Sequence, residues 1–215
     1  MRVGILTGGT ADPAFIREYT EKKPVDAWIG VDRGLETLRM LGVIPGTIVG
    51  DFDSVSPEVL NFYRSQPGID WHVFRPEKDD TDTELAIRQA LDAGADSITL
   101  FGGTGSRIDH VLGTIHVMKR ALDAGIPCEM VDPHNRITLA EGSRTFRKEE
   151  LFGPYVSFLP FAGPVSGVTL SGFRYPLWDA RILPGSSLTI SNELSEEEGT
   201  LRIGRGILIC VEARD

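Results

Sequence analysis

The sequence predicts a chain of the α/β class: an N-terminal, mostly parallel α/β sheet domain over residues 1–137 and a C-terminal antiparallel β-sandwich over residues 138–215. Two observations carry that reading. Short apolar runs alternate with helix-period segments up to Val131, the pattern of a parallel sheet covered by helices. Helical periodicity then stops at Asp132, and short β-rich runs follow with turns between them.

The elements follow in order. Arg2–Thr7 and Ala27–Val31 read as buried strands, and Arg33–Leu41 as a helix ending at Gly42. Thr47–Gly50 is a third strand. Ser56 before Pro57 gives an N-cap with proline at the first helical position, opening a helix toward Ser65. Trp71–Phe74 is a fourth strand, and a helix starts at Asp80 or Thr81 and closes at Gly94. Ser97–Phe101 is a fifth strand. A longer helix follows, with Ile108, Val111, Leu112, Ile115, Met118 and Leu122 on one face and Gly125 at its end. Cys128–Val131 is the sixth strand. The sandwich strands are read at Ile137–Ala140, Tyr155–Leu159, Val165–Leu170, Ser187–Ser191 and Ile207–Val211, and Glu196–Glu198 as a solvated turn.

Composition narrows the function. The chain has 215 residues, enough for a substantial core, and a net charge of −9 from 31 acidic and 22 basic side chains. An acidic surface repels nucleic acid and anionic membranes, so neither is an expected partner. Cys128 and Cys210 lie in apolar runs and read as free, buried thiols of a reducing compartment. The N-terminal MRVGILTGG does not resemble a signal peptide, and no apolar run reaches the roughly 18 residues of a membrane helix. A cytoplasmic location is expected.

The polar residues are placed by topology. Asp32 follows the second strand, and Asp51 and Asp53 the third. Asp79, Asp80 and Asp82 follow the fourth, and Arg107, Asp109 and His110 the fifth. In a parallel sheet these strand ends share one edge, where ligands of open α/β sheets bind. Like charges about 4 Å apart repel by roughly 4 kcal/mol at an effective dielectric near 20, so clustered carboxylates call for protons or cations. Oxygen donors favour magnesium, which in turn favours a phosphate-bearing ligand. Phe101–Arg107, FGGTGSR, is a glycine-rich turn entering a helix, suited to an anion, with Arg107 able to grip two phosphate oxygens. It is neither a P-loop nor a GxGxxG fingerprint. Thr7-Gly8-Gly9-Thr10 faces the same edge and reads equally as a nucleotide-contact loop or a plain turn.

These residues bring a family into view. VDRG at Val31–Gly34, GDFDS at Gly50–Ser54, DDTD at Asp79–Asp82, GGTGSRIDH at Gly102–His110 and SNE at Ser191–Glu193 occur in the order found in bacterial thiamine pyrophosphokinases, which the chain resembles over almost its whole length. The resemblance implies a homodimer with thiamine bound at the subunit interface. It implies that Asp51, Asp53 and Asp82, with Asp79 close by, hold Mg2+ and the phosphate chain of ATP. Thr7, Gly8, Asp32, Gly102, Gly103, Thr104, Ser106, Arg107 and His110 fall at the nucleotide end, with Asp109 beside Arg107. The residues alone also allow a structural role for His110. Ser191 and Asn192 match the motif that receives the thiamine pyrimidine, and Trp178 is a candidate aromatic partner or a core residue. Arg33 stands where the family commonly has glycine.

The implied reaction is in-line attack of the thiamine hydroxyl on the β-phosphorus of ATP, releasing AMP, with Asp51, Asp82, Arg107 and Asp109 as the catalytic set and Asp82 or Asp109 taking the proton. A haloacid-dehalogenase-type phosphatase shares a DxD motif, but there it follows the first strand, and no later lysine and paired-acid motif is present here. A non-catalytic nucleotide or thiamine binder is the second alternative.

Overall fold

A computed structural model describes residues 1–74 and 80–215. The chain divides into two compact units, Met1–Pro133 and His134–Asp215. The division falls at the start of a strand, slightly before the expected junction at 137/138.

The first unit carries six parallel strands: β1 (Arg2–Leu6), β2 (Ala27–Val31), β3 (Thr47–Gly50), β4 (Asp70–Val73), β5 (Ser97–Phe101) and β6 (Cys128–Val131). Their spatial order is β4-β3-β2-β1-β5-β6. The chain winds outward from β1 to β4, then returns to place β5 on the other side of β1. The switch point therefore lies between β1 and β5. Ile5, Leu6, Leu100 and Phe101 are buried at consecutive positions, as strands covered on both faces require. The cover consists of two helical groups, α1 (Pro13–Lys22), α2 (Gly34–Leu41) and α3 (Pro57–Arg64), then α4 (Asp82–Asp92), α5 (Ile108–Val117) and α6 (Lys119–Asp123).

Several helix starts follow the expected chemistry. Ser56 caps α3 by accepting from the Val59 N–H, and Thr81 caps α4 by accepting from the Glu84 N–H. Helix α1 was not anticipated, although Asp12 caps it and Pro13 opens it. The long final helix is instead two, broken at Met118. Its supposed buried face is split as well: Ile115 and Met118 are buried, but Ile108 and Leu112 are exposed. Among the described residues, no helix is long and apolar enough to cross a membrane.

The second unit is a sandwich. One sheet holds β7 (Asn135–Ala140), β13 (Leu208–Ala213) and β9 (Tyr155–Pro160), all antiparallel. The other holds β11 (Leu177–Ile182), β10 (Val165–Ser171), β12 (Glu198–Arg202) and β8 (Ser143–Arg147), in that order. Phe146, Phe158 and Phe173 meet edge-to-face between the sheets with centroids 5.7–5.8 Å apart. Val168, Leu170, Ile182, Leu201 and Leu208 complete this core. Strand β13 places Glu212 on the same face as Leu208 and Cys210, with no exposure. The charge is tolerated because Arg136 and Arg144 pair with it and the Phe152 N–H donates to it at 3.1 Å.

Three expectations need correction here. Ser187–Ser191 forms a turn, not a strand; the Thr189 hydroxyl inside it donates to the Phe158 carbonyl. Glu198 was read within a solvated turn but begins β12; β8 and β11 were not anticipated. Both cysteines are free, but only Cys210 is fully buried; burial pushes its thiol up to about 12 and raises Cys128 as well.

Candidate active site

At the switch point the loops after β1 and β5 are fastened together. The Thr7 N–H donates to Phe101 O at 2.9 Å, Gly9 N–H to Gly102 O at 3.0 Å, and Thr10 N–H to Thr104 O at 2.7 Å. The Thr7 hydroxyl donates to Gly102 O at 2.6 Å. A Cβ at Gly9 would stand 2.2 Å from Gly102 O, so these loops close only with glycine there. Of the residues expected at the nucleotide end, Thr7, Gly102 and Gly103 are buried, so the Thr7 side chain serves the fold. Gly8, Ser106, Arg107 and His110 lie on the surface and Thr104 is half-buried.

Arg107 precedes α5 and Asp109 lies in its first turn. The guanidinium grips this carboxylate with Nη2 at 2.6 Å from Oδ2 and Nε at 3.4 Å from Oδ1. That grip holds the Asp109 carboxyl below the usual range. His110 Nε2 stands 3.9 Å from the same carboxylate.

On the β2–β4 side of the edge the acids gather around Asp32. Its carboxyl is pushed from the usual 3.8 up to about 7, first by burial, then by the negative charge of Asp82, with Asp51 adding to it. Asp32 Oδ1 accepts from the Phe52 N–H at 3.2 Å, which draws the carboxyl back down. Asp82 and Asp51, from two other loops of the edge, thus both act on Asp32. Asp53 is exposed; its N–H donates to Asp51 Oδ1 at 3.1 Å, which sets the loop rather than adding a fourth carboxylate. Asp80 is held by Arg88, 2.7 Å away, which keeps its carboxyl low. Asp79 lies outside the described residues.

The backbone is shaped for this approach. Asp32 and Phe52 both adopt left-handed conformations, φ 43° and 64°. Gly50, with φ 148°, has no Cβ because one would stand 1.8 Å from Asp32 Oδ1. Arg33, in place of the family's usual glycine, has an ordinary helical φ of −56° and is not strained.

The donor set is carboxylate oxygen alone, which suits a hard divalent cation. Among the described residues no group of three His, Cys, Asp or Glu side chains closes around a metal position.

In the second unit Ser191 is exposed with φ 54°, its N–H donating to Ser157 Oγ at 2.9 Å. Asn192 is buried. Trp178 is 72% exposed, so it is not sandwich core. Tyr175, 56% exposed, was not picked out from the sequence; its position two residues after Phe173 in a glycine- and proline-bounded turn was the available signal.

The first unit thus presents aspartates on the β2–β4 side of its strand-end edge and Arg107 on the β5 side, at the edge where open α/β sheets bind ligands. The model of the thiamin pyrophosphokinase catalytic domain matches residues 19–130, and that of the thiamin pyrophosphokinase vitamin B1 binding domain matches residues 143–208. A thiamine pyrophosphokinase of Bacillus subtilis is 39% identical over 199 residues, 92% of this chain and 91% of that protein. A crystal structure of thiamine pyrophosphokinase from the same species superposes with a TM-score of 0.88 at 33% identity, covering all of both chains. The thiamin pyrophosphokinase structure from Geobacillus thermodenitrificans gives 0.86 at 36%, covering all of this chain and 98% of that one. The chain belongs to the thiamine pyrophosphokinase family.

Proposed function

We propose that the protein transfers the diphosphate of ATP to the hydroxyl of thiamine, giving thiamine diphosphate and AMP, with Mg2+ as the cofactor. The observation that carries the reading is the convergence of Asp32, Asp51 and Asp82 from separate strand ends. Bound magnesium would neutralise phosphate charge and polarise the phosphorus under attack. Asp51 and Asp82 are the residues to hold it, with Asp32 behind them. Asp53 supports the Asp51 loop through its N–H. Asp79 remains part of the proposed metal set by family resemblance.

Arg107, paired with Asp109 in this structure, would turn its fork to the phosphate chain from the other side of the switch point. The exposed Gly8, Ser106 and His110 and the half-buried Thr104 are the proposed nucleotide contacts, on a base fastened through Thr7, Gly102 and Gly103. Asp82 and Asp109 are the two acids proposed for taking the hydroxyl proton; Arg107 holds Asp109 low, which weakens it as a base. Ser191 and the surface around Trp178 are the proposed thiamine contacts in the second unit. A homodimer with thiamine at the subunit interface and a cytoplasmic location belong to the same reading.

Incubating the chain with ATP, magnesium and thiamine tests it: AMP and thiamine diphosphate should form together. Asp51→Asn and Asp82→Asn should each lose about 100-fold or more in kcat with unchanged circular dichroism. Near-normal turnover in both variants would refute the roles. Release of inorganic phosphate without AMP would point to the phosphatase reading, and binding without turnover to the non-catalytic one.

A further inference from the structure

The loop that carries Asp51 and Asp53 runs from the end of β3 to Ser56, the N-cap of α3. Its first half is fixed from the β2 side, where the Phe52 N–H donates to Asp32 Oδ1 at 3.2 Å. Its last residue is fixed from the same side, where the Ser56 N–H donates to Glu36 Oε1 at 2.8 Å. Asp32 and Glu36 are four residues apart, as are Phe52 and Ser56, so the two bonds clamp one stretch of chain onto the start of α2. Between them the Val55 N–H donates to Phe52 O at 3.3 Å, and the buried Phe52 ring meets Trp71 edge-to-face with centroids 5.5 Å apart.

The Glu36 bond supplies what α3 itself lacks. In a capping box the N-cap side chain accepts from the N3 N–H, and a Glu or Gln at N3 reaches back to the N-cap N–H. Ser56 makes the first half, with Oγ accepting from the Val59 N–H at 3.4 Å. The second half has no donor set within the helix, because N3 is Val59, a buried apolar side chain. Glu36, half-buried in the first turn of α2, takes that place from a different helix. Helix α3 has a separate anchor further along: Tyr63 is fully buried and its hydroxyl donates to the Val43 carbonyl at 3.0 Å. Removing the Glu36 oxygen therefore releases the end of the acidic loop and leaves the helix in place.

We propose that Glu36 is a positioning residue for the diphosphate transfer: by holding Ser56 it fixes the Asp51–Ser56 loop and so keeps Asp51 beside Asp32. It acts through the loop, not as a ligand of the metal or the nucleotide. This rests on the functional reading above. The test compares E36A and E36Q in the full chain by two readouts, calorimetric titration of MgATP into thiamine-free protein and steady-state kinetics. E36Q keeps an oxygen for the Ser56 N–H, and E36A removes it. E36A should weaken MgATP binding and lower kcat, each about tenfold, with the thiamine KM unchanged. E36Q should match the unmodified chain in all three. A merely stabilising Glu36 would instead lower the melting midpoint of E36A and leave its MgATP binding and kcat intact at lower temperature, which overturns the proposal. Equal impairment of E36Q and E36A overturns it too, because the charge and not the hydrogen bond would then matter. If E36A does not fold, E36D, which keeps the charge but is one methylene short of Ser56, takes its place against E36Q on the same terms. Failure of the functional reading looks different: the unmodified chain would then neither bind MgATP nor form AMP, and this proposal would fall with it.

Discussion

Asp32→Asn should stabilise the metal-free protein at pH 8 while removing activity. Folding raises the Asp32 carboxyl from the usual 3.8 to about 7. At ~1.4 kcal/mol per tenfold change in proton affinity, that is at most ~4.5 kcal/mol of destabilisation once the group is ionised. Asp32 is only half-buried, and solvent screening reduces the figure to ~2 kcal/mol. The sign follows from proton counting. Below pH 3.8 both folded and unfolded chains hold the proton, and the group is neutral toward stability. Between 3.8 and about 7 the folded chain keeps a proton that the unfolded chain has lost, so raising the pH disfavours folding. Above about 7 the penalty is complete. Asparagine has no such term, tolerates φ 43°, and keeps an oxygen for the Phe52 N–H. Urea unfolding in EDTA, followed by the fluorescence of Trp28 and Trp71, measures this in the first unit. The variant midpoint should exceed that of the unmodified chain by about 1 M at pH 8, taking a slope near 2 kcal/mol/M, and match it near pH 4. An advantage of the same size at both pH values, or none at pH 8, would show that burial and the neighbouring carboxylates do not raise the Asp32 carboxyl.

Two further outcomes follow from close contacts. Gly50→Ala would force a methyl onto Asp32 Oδ1; it should destabilise the first unit by about 2 kcal/mol or more in urea unfolding, and AMP release should fall with it. A fully active variant would mean that Asp32 can move away without consequence. Glu212→Ala should cost the second unit about 3–5 kcal/mol, because it removes the carboxylate shared by two arginines; a calorimetric loss below about 1 kcal/mol would count against that network.

Elements with one dominant signal were legible in the sequence. The strands at Ala27–Val31, Thr47–Gly50, Ser97–Phe101 and Cys128–Val131 fall where continuous apolar runs place them, and Ser56-Pro57 opens a helix as its chemistry dictates. Helix α1 escaped because few of its residues face inward: only Ile16 and Tyr19 are buried in PAFIREYTEK. Strands β8 and β12 escaped because SRTFR and EGTLR alternate charge with one or two buried residues on a half-solvated face. Ile108 and Leu112 misled in the opposite direction, since helical periodicity shows which residues share a face but not whether anything covers it. At the candidate site, topology assigned Asp32, Asp51, Asp53, Asp79, Asp80 and Asp82 to one edge, and in the structure Asp51 and Asp82 act on Asp32. It could not show that Asp80 is turned to Arg88, that the Asp53 carboxylate is peripheral, or that the Thr7 hydroxyl is taken by Gly102.

The backbone adds an argument independent of side-chain charge. The non-glycine residues with positive φ among those described are Asp32, Phe52, Asp179 and Ser191. Each such conformation costs on the order of 1 kcal/mol or more and persists only where surrounding structure enforces it. Asp32 and Phe52 belong to the two motifs that meet at the carboxylate cluster, and Ser191 opens the SNE motif. Asp179 follows the exposed Trp178, with its N–H held by Thr169 Oγ1 at 3.2 Å. Glycine takes such a conformation without cost, as at the helix end Gly42, and aspartate tolerates it better than Phe or Ser, so the cost falls mainly at Phe52 and Ser191. Asp32, Phe52 and Ser191 lie in the loops to which the metal and thiamine readings are assigned.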